Sequence, residues 1–486
     1  MRHVRCTVRR ASTTAAGAAR APAHQFGMRH VRCAVRRAST TAAGAARAPA
    51  RPSSRLALAS ELAGYRGSHD GGTGAASTPI YQTSTFDVSE QSTYDYTRSG
   101  NPTRDALQDL CRRIEHASAS FAFTSGMAAL AAVLRLLRPG ETVIASKDIY
   151  GGMHRLLRQT SQHAGVEVEF TATWDLAAVE NIFLSTQRCA MVCIESPSNP
   201  MMRVSDIRAI AALCKQHGAL LCIDNSVMSP ALSTPLDLGA DIVVHSATKY
   251  LNGHADVMAG IVAVNDEDLA SRIGFVQNSE GSGLAPFDAW LVLRGLKTLA
   301  LRMSVAQANA IELTEVLRAH PLVKQVHYLS PGDVAERADA ALHFSQAQGG
   351  GALLSFETGD VEISRAFVRA ATAKRGGLFK QTVSFGSTAS LVEMPAEMSH
   401  ASIPEAERTA SGLPNDLVRP FVRSFVRSFV RSFYSWQSRL SCALSTLSRS
   451  HRRAHSSCLS PFLSLPTPTE PRWRPGCHPG AYLRWN

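Results

Sequence analysis

The chain has 486 residues, which is long enough for two or three domains of ordinary size with a sizeable core. Hydrophobic residues make up 45% of it, but no apolar run approaches the ~20 residues that a membrane-spanning helix needs, which excludes an integral membrane protein. The formal net charge of +12 comes from the two ends, which together carry +21 and leave −9 for residues 61–419. The part predicted to fold is acidic, which argues against nucleic acid and membrane surfaces as its partners.

The N-terminal end contains a duplicated segment. Residues 1–23 read MRHVRCTVRRASTTAAGAARAPA and recur as residues 28–50, with Ala34 in place of Thr7. Both copies are rich in Arg, Ala, Ser and Thr and contain no acidic residue, which is the composition of an organelle transit peptide. We therefore predict that residues 1–55 direct import into an organelle. The family resemblance given below implies the plastid stroma, with the mitochondrion as the alternative destination. A disordered basic arm is the alternative interpretation of this segment.

The C-terminal end, residues 420–486, is basic and of low complexity. The tetrapeptide Phe-Val-Arg-Ser begins at Phe421, Phe425 and Phe429. A phenylalanine at every fourth position drifts around a helix and brings Val and Arg beside it, so no amphipathic helix is predicted. We interpret this tail as translated non-coding sequence or the product of a frame error; the alternative is a genuine low-complexity extension.

Between these ends, short β-rich apolar runs alternate with helical ones. Residues 189–195 (CAMVCIE), 219–224 (ALLCID) and 242–245 (IVVH) read as strands, and residues 204–217 read as a helix. This pattern predicts an α/β fold with a largely parallel sheet covered by helices. In such sheets ligands bind just beyond the carboxyl ends of the strands, so the residues at those positions are candidates for a functional site.

The cysteines indicate neither a zinc site nor a disulfide framework. The central stretch contains five of the ten, an odd number, and no Cys-x-x-Cys pair. Those in apolar strand-like runs are predicted to be small buried thiols.

Two strand ends carry residues suited to a charged heterocyclic cofactor. Asp224 closes an apolar strand, where an ionised carboxylate needs a cation such as a protonated ring nitrogen nearby. Lys249, one strand further on, lies beside Ser246 and Thr248. An amine there can bind a carbonyl group covalently while the two hydroxyls hold an anionic group.

Three upstream segments add to this set. Gly126 stands at a predicted helix start, where exposed backbone N–H groups and the helix dipole attract a phosphate. Tyr150 follows a strand and can lay its ring on a flat cofactor, while Tyr96 and Arg98 can both hold a phosphate. A lysine, a carboxylate for a ring nitrogen, a stacking aromatic and a phosphate site together describe pyridoxal 5′-phosphate (PLP).

Long motifs spread over residues 60–419 resemble the Cys/Met-metabolism family of PLP enzymes, and within it most closely the plant-type plastid β-lyases. The similarity implies the fold type I architecture of aspartate aminotransferase, an α/β fold with a mostly parallel seven-stranded sheet. It also implies a homo-oligomer, a tetramer built from dimers that share active sites. The motifs are YDYTRSGNPTRDAL, FTSGMAAL, ESPSNP, DNSVMSP, HSATKYLNGHADVMAG, QNSEGSGLAPFDAWLVLRGLKTLALR, VSFGSTASL and MSHASIP.

The resemblance also implies a domain organisation. An N-terminal arm, residues 56–110, is expected to reach the neighbouring subunit. Residues 111–310 would form the large PLP-binding domain, and residues 311–419 a smaller C-terminal α/β domain that the tail cuts short.

The roles of individual residues follow from the same resemblance. Lys249 would bind PLP covalently and serve as general base, Asp224 would pair with the ring nitrogen, and Tyr150 would stack on the ring. These three are the expected catalytic residues, and no metal is expected. The remaining expected contacts are Asn199 near the 3′-oxygen, Gly126, Met127, Ser246 and Thr248 at the phosphate, Tyr96 and Arg98 at the phosphate of the neighbouring subunit, and Ser384 and Arg419 at the substrate α-carboxylate.

The implied reaction is β-elimination of L-cystathionine to homocysteine, pyruvate and ammonia, a step of methionine biosynthesis. Val383 before Ser384 and Phe385 after it resemble the β-lyases, whereas γ-acting members typically carry an acidic residue before the serine. A γ-synthase or γ-lyase is the alternative activity. A catalytically impaired protein is a further alternative, because Pro420 follows Arg419 where the family continues with a Ser-x-Gly-x-Glu segment, a strand and a terminal helix.

Overall fold

The computed structural model describes residues 55–67, 73–87, 93–373, 378–401 and 403–422. The predicted transit peptide, residues 1–55, lies outside this part of the chain except for its last residue. The predicted tail, residues 420–486, lies outside it except for its first three residues. All the described residues belong to one compact unit.

A seven-stranded sheet forms the centre of this unit, and its order is β1-β7-β6-β5-β4-β2-β3. Only β7 runs antiparallel to its neighbours, so the sheet is mostly parallel, as predicted. The strands are β1 (Ala119–Phe123), β2 (Thr142–Ser146), β3 (Glu167–Thr171), β4 (Cys189–Glu195), β5 (Leu220–Asp224), β6 (Ile242–Ser246) and β7 (Gly260–Val264).

Helices cover both faces of this sheet. On one face, Leu130 and Ile273 pack against strand residues such as Val262; on the other, Phe183 and Ile210 pack against the opposite side of the same strands. Burial on both faces explains why the central strands read as continuous apolar runs. These helices and those before them are α1 (Arg55–Gly64), α2 (Pro102–Ile114), α3 (Gly126–Leu134), α4 (Gly151–Arg155, continued by a π-helical turn, Leu156–Ser161), α5 (Leu176–Ser185), α6 (Ile207–His217) and α7 (Glu267–Glu280).

Two smaller sheets follow the long helices α8 (Pro286–Leu296) and α9 (Leu299–Arg318). One pairs β8 with β9 in antiparallel fashion, and the other has the order β10-β11-β12. Among the described residues these elements are β8 (Gln325–His327), α10 (Ala338–Gln346), β9 (Ser355–Glu357), α11 (Val361–Ala371), β10 (Lys380–Gln381), β11 (Leu391–Glu393), α12 (Glu405–Ser411) and β12 (Arg419–Phe421).

The end of the described chain is part of the core. Pro420 lies within β12, and Phe421 and Val422 are fully buried. The Phe421 ring packs edge-on against the ring of Tyr250, with 5.8 Å between centroids. The folded region therefore continues past residue 419, where the sequence predicts that the tail begins.

The predicted domain boundaries fall inside helices. The boundary at residue 110 lies within α2, and the boundary at residue 310 lies within α9, a 20-residue helix. Neither boundary thus coincides with the end of an element. Within the described ranges, no helix combines the length and the hydropathy needed to cross a membrane.

Candidate active site

The carboxyl ends of β4, β5 and β6 bring the predicted residues together at one edge of the sheet. Glu195 at the end of β4 is the register partner of Asp224 at the end of β5. Asp224 in turn pairs with Val244 of β6, two residues before Ser246. Residues two apart on a strand point to the same side, so Glu195 and Asp224 lie on the face of Cys193 and Cys222, which is the face that α3 covers.

The start of α3 packs directly against the end of β6. A Cβ atom on Gly126 would lie 2.9 Å from Cβ and 3.0 Å from Cα of Ser246, so a side chain there would force the backbone apart. Ser125 caps the helix by accepting a hydrogen bond from the Ala128 N–H at 3.1 Å. The first N–H groups of a helix have no partner within it, so this junction offers donors and a positive dipole end beside Ser246.

Thr248 is tied to the start of β7. Its hydroxyl accepts a hydrogen bond from the N–H of Ala259 at 3.0 Å and lies 3.4 Å from the Ala259 carbonyl. The Ser246 N–H donates to the Ser226 hydroxyl at 2.6 Å. These bonds fix the start of the segment that joins β6 to β7, and Lys249 lies in this segment.

Lys249 meets a loop from the C-terminal part of the chain. Its Nζ donates a hydrogen bond to Oγ of Ser384 at 2.6 Å and lies 5.1 Å from the centroid of the Phe385 ring. Burial, and then the nearby charge of Arg419, lower the pKa of Lys249 to about 8. The amine is therefore easier to deprotonate than an ordinary lysine.

The loop that holds Lys249 has an unusual backbone. Ser384 has φ +93°, a value that residues with a Cβ rarely adopt. Gly386, with φ +85°, packs so closely on Lys249 that a Cβ would lie 2.7 Å from the lysine carbonyl carbon. A strained residue in contact with a partly buried lysine is typical of a functional site.

Arg419 lies in the same cluster and is almost completely buried. Its Nη1 donates to Oδ1 of Asn199 at 2.8 Å, and its Nη2 donates to the Ser384 carbonyl at 3.2 Å. The same Nη2 forms an ion pair with Oε1 of Glu393 at 2.7 Å. The structure therefore brings Asn199, Ser384, Arg419 and Lys249 together, as expected.

Asp224 and Glu195 are neighbouring carboxyl groups with different surroundings. Burial raises the pKa of Asp224, while hydrogen bonds from Ser226 and the nearby charges of His245 and Lys249 oppose this shift. Burial and the charge of Asp224 raise the pKa of Glu195 well above its usual range. Of the two, Asp224 lies near Lys249, whose charge lowers the pKa of Asp224, and it is therefore the better candidate to stay ionised.

Glu195 also organises the two segments that flank it. One carboxylate oxygen accepts the N–H of Tyr150 at 2.9 Å, and the other accepts the N–H of Asn199 at 3.3 Å. The sequence interpretation missed this residue, although it ends the strand CAMVCIE as Asp224 ends ALLCID. Applying to Glu195 the argument used for Asp224 would have identified it.

The Tyr150 ring lies at the entrance to α4 and is 39% exposed. A Cβ on Gly152 would lie 2.4 Å from this ring and 3.0 Å from the sulfur of Met127. Glycine at position 152 thus lets Tyr150 approach Met127 and the start of α3. The structure places an accessible aromatic ring beside the helix start that was predicted to bind phosphate.

Tyr96 and Arg98 contact each other in the segment before α2. The Arg98 guanidinium carbon is 5.5 Å from the centroid of the Tyr96 ring, and Tyr96 is 44% exposed. Buried Arg104 holds their segment by donating to the carbonyls of Thr97 and Arg98 at 2.7 and 3.1 Å. The aliphatic part of Arg98 lies near Gly281, where a Cβ atom would be 3.8 Å from the Arg98 Cδ.

Comparison with known proteins places this chain in a family of PLP-dependent enzymes. Residues 62–422 match the sequence model of the family "Cys/Met metabolism PLP-dependent enzyme". The chloroplastic cystathionine β-lyases of Arabidopsis thaliana and Mimosa pudica are 51% and 49% identical to it over 71% of this chain, and 73% and 74% of their own lengths. The crystal structure of cystathionine γ-lyase from Lactobacillus plantarum, complexed with L-serine, has a TM-score of 0.74 and 39% identity, covering 79% of this chain and 98% of that one.

The residues of the cluster fit PLP. The absence of a side chain at Gly126 lets the start of α3 pack against Ser246, so helix N–H donors lie beside the Ser246 hydroxyl, which suits a phosphate. Lys249 offers an amine that is more easily deprotonated than an ordinary lysine, and Asp224 offers a carboxyl group that accepts hydrogen bonds from Ser226. These are the groups that a cofactor with an aldehyde, a ring nitrogen and a phosphate requires.

Proposed function

This chain belongs to the Cys/Met metabolism family of PLP-dependent enzymes, and we propose that it is a carbon–sulfur lyase that cleaves L-cystathionine by β-elimination. With water, cystathionine would give homocysteine, pyruvate and ammonia, a reaction that serves methionine biosynthesis. The observation that carries the proposal is the contact of Lys249 with Ser384 beside the buried Arg419, which places a base next to a carboxylate-binding group. Relatives at 42–51% identity that are named cystathionine β-lyase support it.

The proposed cofactor contacts use side chains from both parts of the chain. When bound, PLP supplies an aldehyde carbon for the substrate amine and an electron sink for bond breaking at Cα. Asn199 commits its Oδ1 to Arg419, which leaves its side-chain NH₂ group as the donor toward the 3′-oxygen. The other contacts proposed are Lys249 for covalent attachment, Asp224 for the ring nitrogen, Tyr150 for the ring face, and Gly126, Met127, Ser246 and Thr248 for the phosphate.

Lys249 is the proposed general base. To accept the Cα proton its amine must be neutral, and burial together with the charge of Arg419 favours the neutral form. The Ser384 hydroxyl holds Nζ at 2.6 Å and so limits where the amine can move. The low pKa and this anchoring together suit proton transfer near neutral pH.

Arg419 is proposed to bind the α-carboxylate of the substrate. Three partners fix its guanidinium before the substrate arrives, namely Asn199, Glu393 and the Ser384 carbonyl. A guanidinium held in this way loses little side-chain entropy when a carboxylate binds. Ser384 would contribute from the other side of the same carboxylate.

The residue before Ser384 favours β-elimination. Val383 is 48% exposed and places an apolar side chain where γ-acting members typically carry an acid. Position 383 therefore offers no carboxylate that could assist Lys249 in a second proton transfer, at Cβ. The γ-synthase and γ-lyase alternatives are not favoured, since the curated relatives named above are β-lyases.

The proposal includes an oligomer that shares its active sites. Tyr96 and Arg98 are expected to reach the phosphate in the neighbouring subunit, in a dimer and a tetramer built from dimers. In support, the Tyr96 ring is 44% exposed in a single chain, and the Arg98 guanidinium lies over it. The plastid stroma is the proposed location, because the relatives from Arabidopsis and Mimosa are chloroplastic; the mitochondrion is the alternative.

Product analysis tests the proposed reaction. The purified chain, supplied with PLP and L-cystathionine, should release homocysteine and pyruvate in equal amounts. Cysteine with 2-oxobutyrate would instead identify a γ-lyase. A chain that binds PLP but releases neither pair of products would support the catalytically impaired alternative.

A further inference from the structure

Glu393 is a buried acid in the active-site cluster to which no role has been assigned. It lies in β11 directly opposite Arg419 of β12, as a cross-strand pair of the antiparallel ladder. The two side chains are 1% and 3% exposed. Direct cross-strand neighbours of opposite charge stabilise each other, and here the pairing register sets their contact.

The ion pair determines how the guanidinium of Arg419 is presented. Glu393 Oε1 and the Ser384 carbonyl both accept from Nη2, while Asn199 accepts from Nη1. Nε is also buried and has no partner among the described residues. Glu393 therefore holds the Nη2 side of the Arg419 guanidinium and leaves other N–H bonds of the guanidinium for a ligand.

Glu393 is itself fixed by the loop that follows β11. Its Oε1 accepts a hydrogen bond from the Ser399 hydroxyl at 2.6 Å, and the Ser399 carbonyl lies 2.9 Å from where a Cβ of Gly151 would be. Gly151 directly follows Tyr150. The position of Glu393 is thus linked to the segment that carries Tyr150, and not only to its own strand.

Electrostatics gives the pair a further effect. Arg419 and Lys249 are two cationic groups in one buried cluster, and burial alone lowers the pKa of both. Glu393 opposes this shift at each of them. Without Glu393 the buried guanidinium would lose its ion-pair partner and keep only its bonds to Asn199 and the Ser384 carbonyl, so it would be less firmly oriented.

We propose that Glu393 is a positioning residue, which orients the Arg419 guanidinium toward the substrate α-carboxylate and so makes the site select α-amino acids over simple amines. The inference rests on the proposed role of Arg419. It assigns the selection of a substrate class to a residue that itself need not touch the substrate.

The test uses two ligands that differ only by a carboxylate. L-alanine and ethylamine both carry a primary amine and have no leaving group at Cβ, so binding is not followed by elimination. Their affinities for the PLP-loaded enzyme would be measured by calorimetry in the wild type and in Glu393→Ala, Glu393→Gln and Arg419→Ala. Glu397→Gln is the matched control, because Glu397 forms an ion pair with Arg365 at the surface, 2.7 Å long.

The proposal predicts a loss of discrimination without a general loss of binding. Glu393→Ala should reduce the L-alanine to ethylamine affinity ratio at least ~10-fold while ethylamine binds as before, because a charge-assisted contact is misaligned. Glu393→Gln keeps an oxygen for Nη2, so its ratio should fall only about 3-fold. Glu397→Gln should keep the wild-type ratio.

The other outcomes distinguish a wrong role for Arg419 from a wrong role for Glu393. If the wild type does not prefer L-alanine, or Arg419→Ala keeps the preference, the proposed role of Arg419 is wrong and this inference falls with it. If Arg419→Ala loses the preference but Glu393→Ala keeps it, only the inference is wrong. Should Glu393→Ala fail to fold, Glu393→Gln decides, and a ratio equal to that of Glu397→Gln would overturn the proposal.

Discussion

The amine of Lys249 donates a hydrogen bond to the hydroxyl of Ser384 at 2.6 Å, although the two residues are 135 positions apart in the chain. Lys249 follows the sixth strand of the large sheet, and Ser384 lies in the loop before β11. Ser384 adopts φ +93° in making this contact. The large sheet and the C-terminal strands therefore build one site.

Replacing Lys249 by alanine should reduce kcat at least ~10³-fold, because the general base and the covalent anchor are lost together. Steady-state release of pyruvate from L-cystathionine measures the effect. Lys215→Ala is the control, since Lys215 is exposed in the last turn of α6, which leads into the start of β5 and so lies at the opposite edge of the sheet from the cluster; this variant should leave kcat unchanged. A Lys249→Ala enzyme with more than about a tenth of wild-type turnover would contradict the assignment.

The pKa of Lys249 should be measurable in the cofactor-free chain. Acetylation of its amine, followed by mass spectrometry across a pH series, should reach half of its maximal rate near pH 8, the value to which burial and Arg419 lower its pKa. The folded chain then binds fewer protons than the unfolded chain between about pH 8 and the ordinary lysine value of 10.5, so this group makes folding more favourable as pH rises through that window. A half-maximal rate near pH 10 would contradict the burial argument.

Gly126→Ala should weaken PLP binding and destabilise the fold. The new Cβ would lie 2.9 Å from a side-chain atom and 3.0 Å from a backbone atom of Ser246, so the helix start must move away from the strand. We expect a loss of ~1–3 kcal/mol in the free energy of unfolding and at least ~10-fold in PLP affinity. Gly64→Ala is the control, because a Cβ at that position would meet nothing within 4 Å.

Arg98 should act across a subunit interface. Coexpressing an Arg98→Ala subunit with a Lys249→Ala subunit produces mixed dimers with one intact site, so random mixing should restore roughly a quarter of wild-type activity. Each variant expressed alone should be nearly inactive. Differently tagged subunits would show whether mixed dimers form, and inactive mixed dimers would overturn the shared-site arrangement.

The second copy of the N-terminal repeat should be sufficient for import. A fusion of residues 28–60 to a fluorescent protein is expected to accumulate in plastids of plant cells, because the segment is rich in Arg, Ala, Ser and Thr and free of acids up to residue 60. A fusion in which the arginines of this segment are replaced by glutamine should stay in the cytosol. Fluorescence of the unaltered fusion in mitochondria would support the alternative destination, and cytosolic fluorescence would refute the targeting prediction.

The sequence allowed the large sheet and its ligand-binding edge to be predicted. Strand runs such as ALLCID ended at polar residues, and parallel strands bring their carboxyl ends to one edge, so Asp224 and Lys249 could be expected near each other. The helix predicted over residues 204–217 begins at Ile207, because Asp206 caps it by accepting the N–H of Ala209. The local sequence patterns predicted the site residues well where a complete strand or helix positions them.

The C-terminal part of the site could not be derived from local patterns. Strands β11 and β12 have three residues each, too few for a periodicity, and their antiparallel pairing decides that Glu393 faces Arg419. Pro420 read as a break in the fold, yet it lies in β12 opposite Val392. Proline is tolerated there because β12 is an edge strand, where a missing N–H costs little.

The central claim, that Lys249 is the residue to which PLP is bound, is tested most directly by reductive trapping. The PLP-loaded chain would be treated with borohydride, digested, and analysed by mass spectrometry for the peptide that carries the reduced cofactor. We predict that one peptide is labelled and that the label lies on Lys249. A label on another lysine, or no label in a chain that retains PLP, would contradict the account.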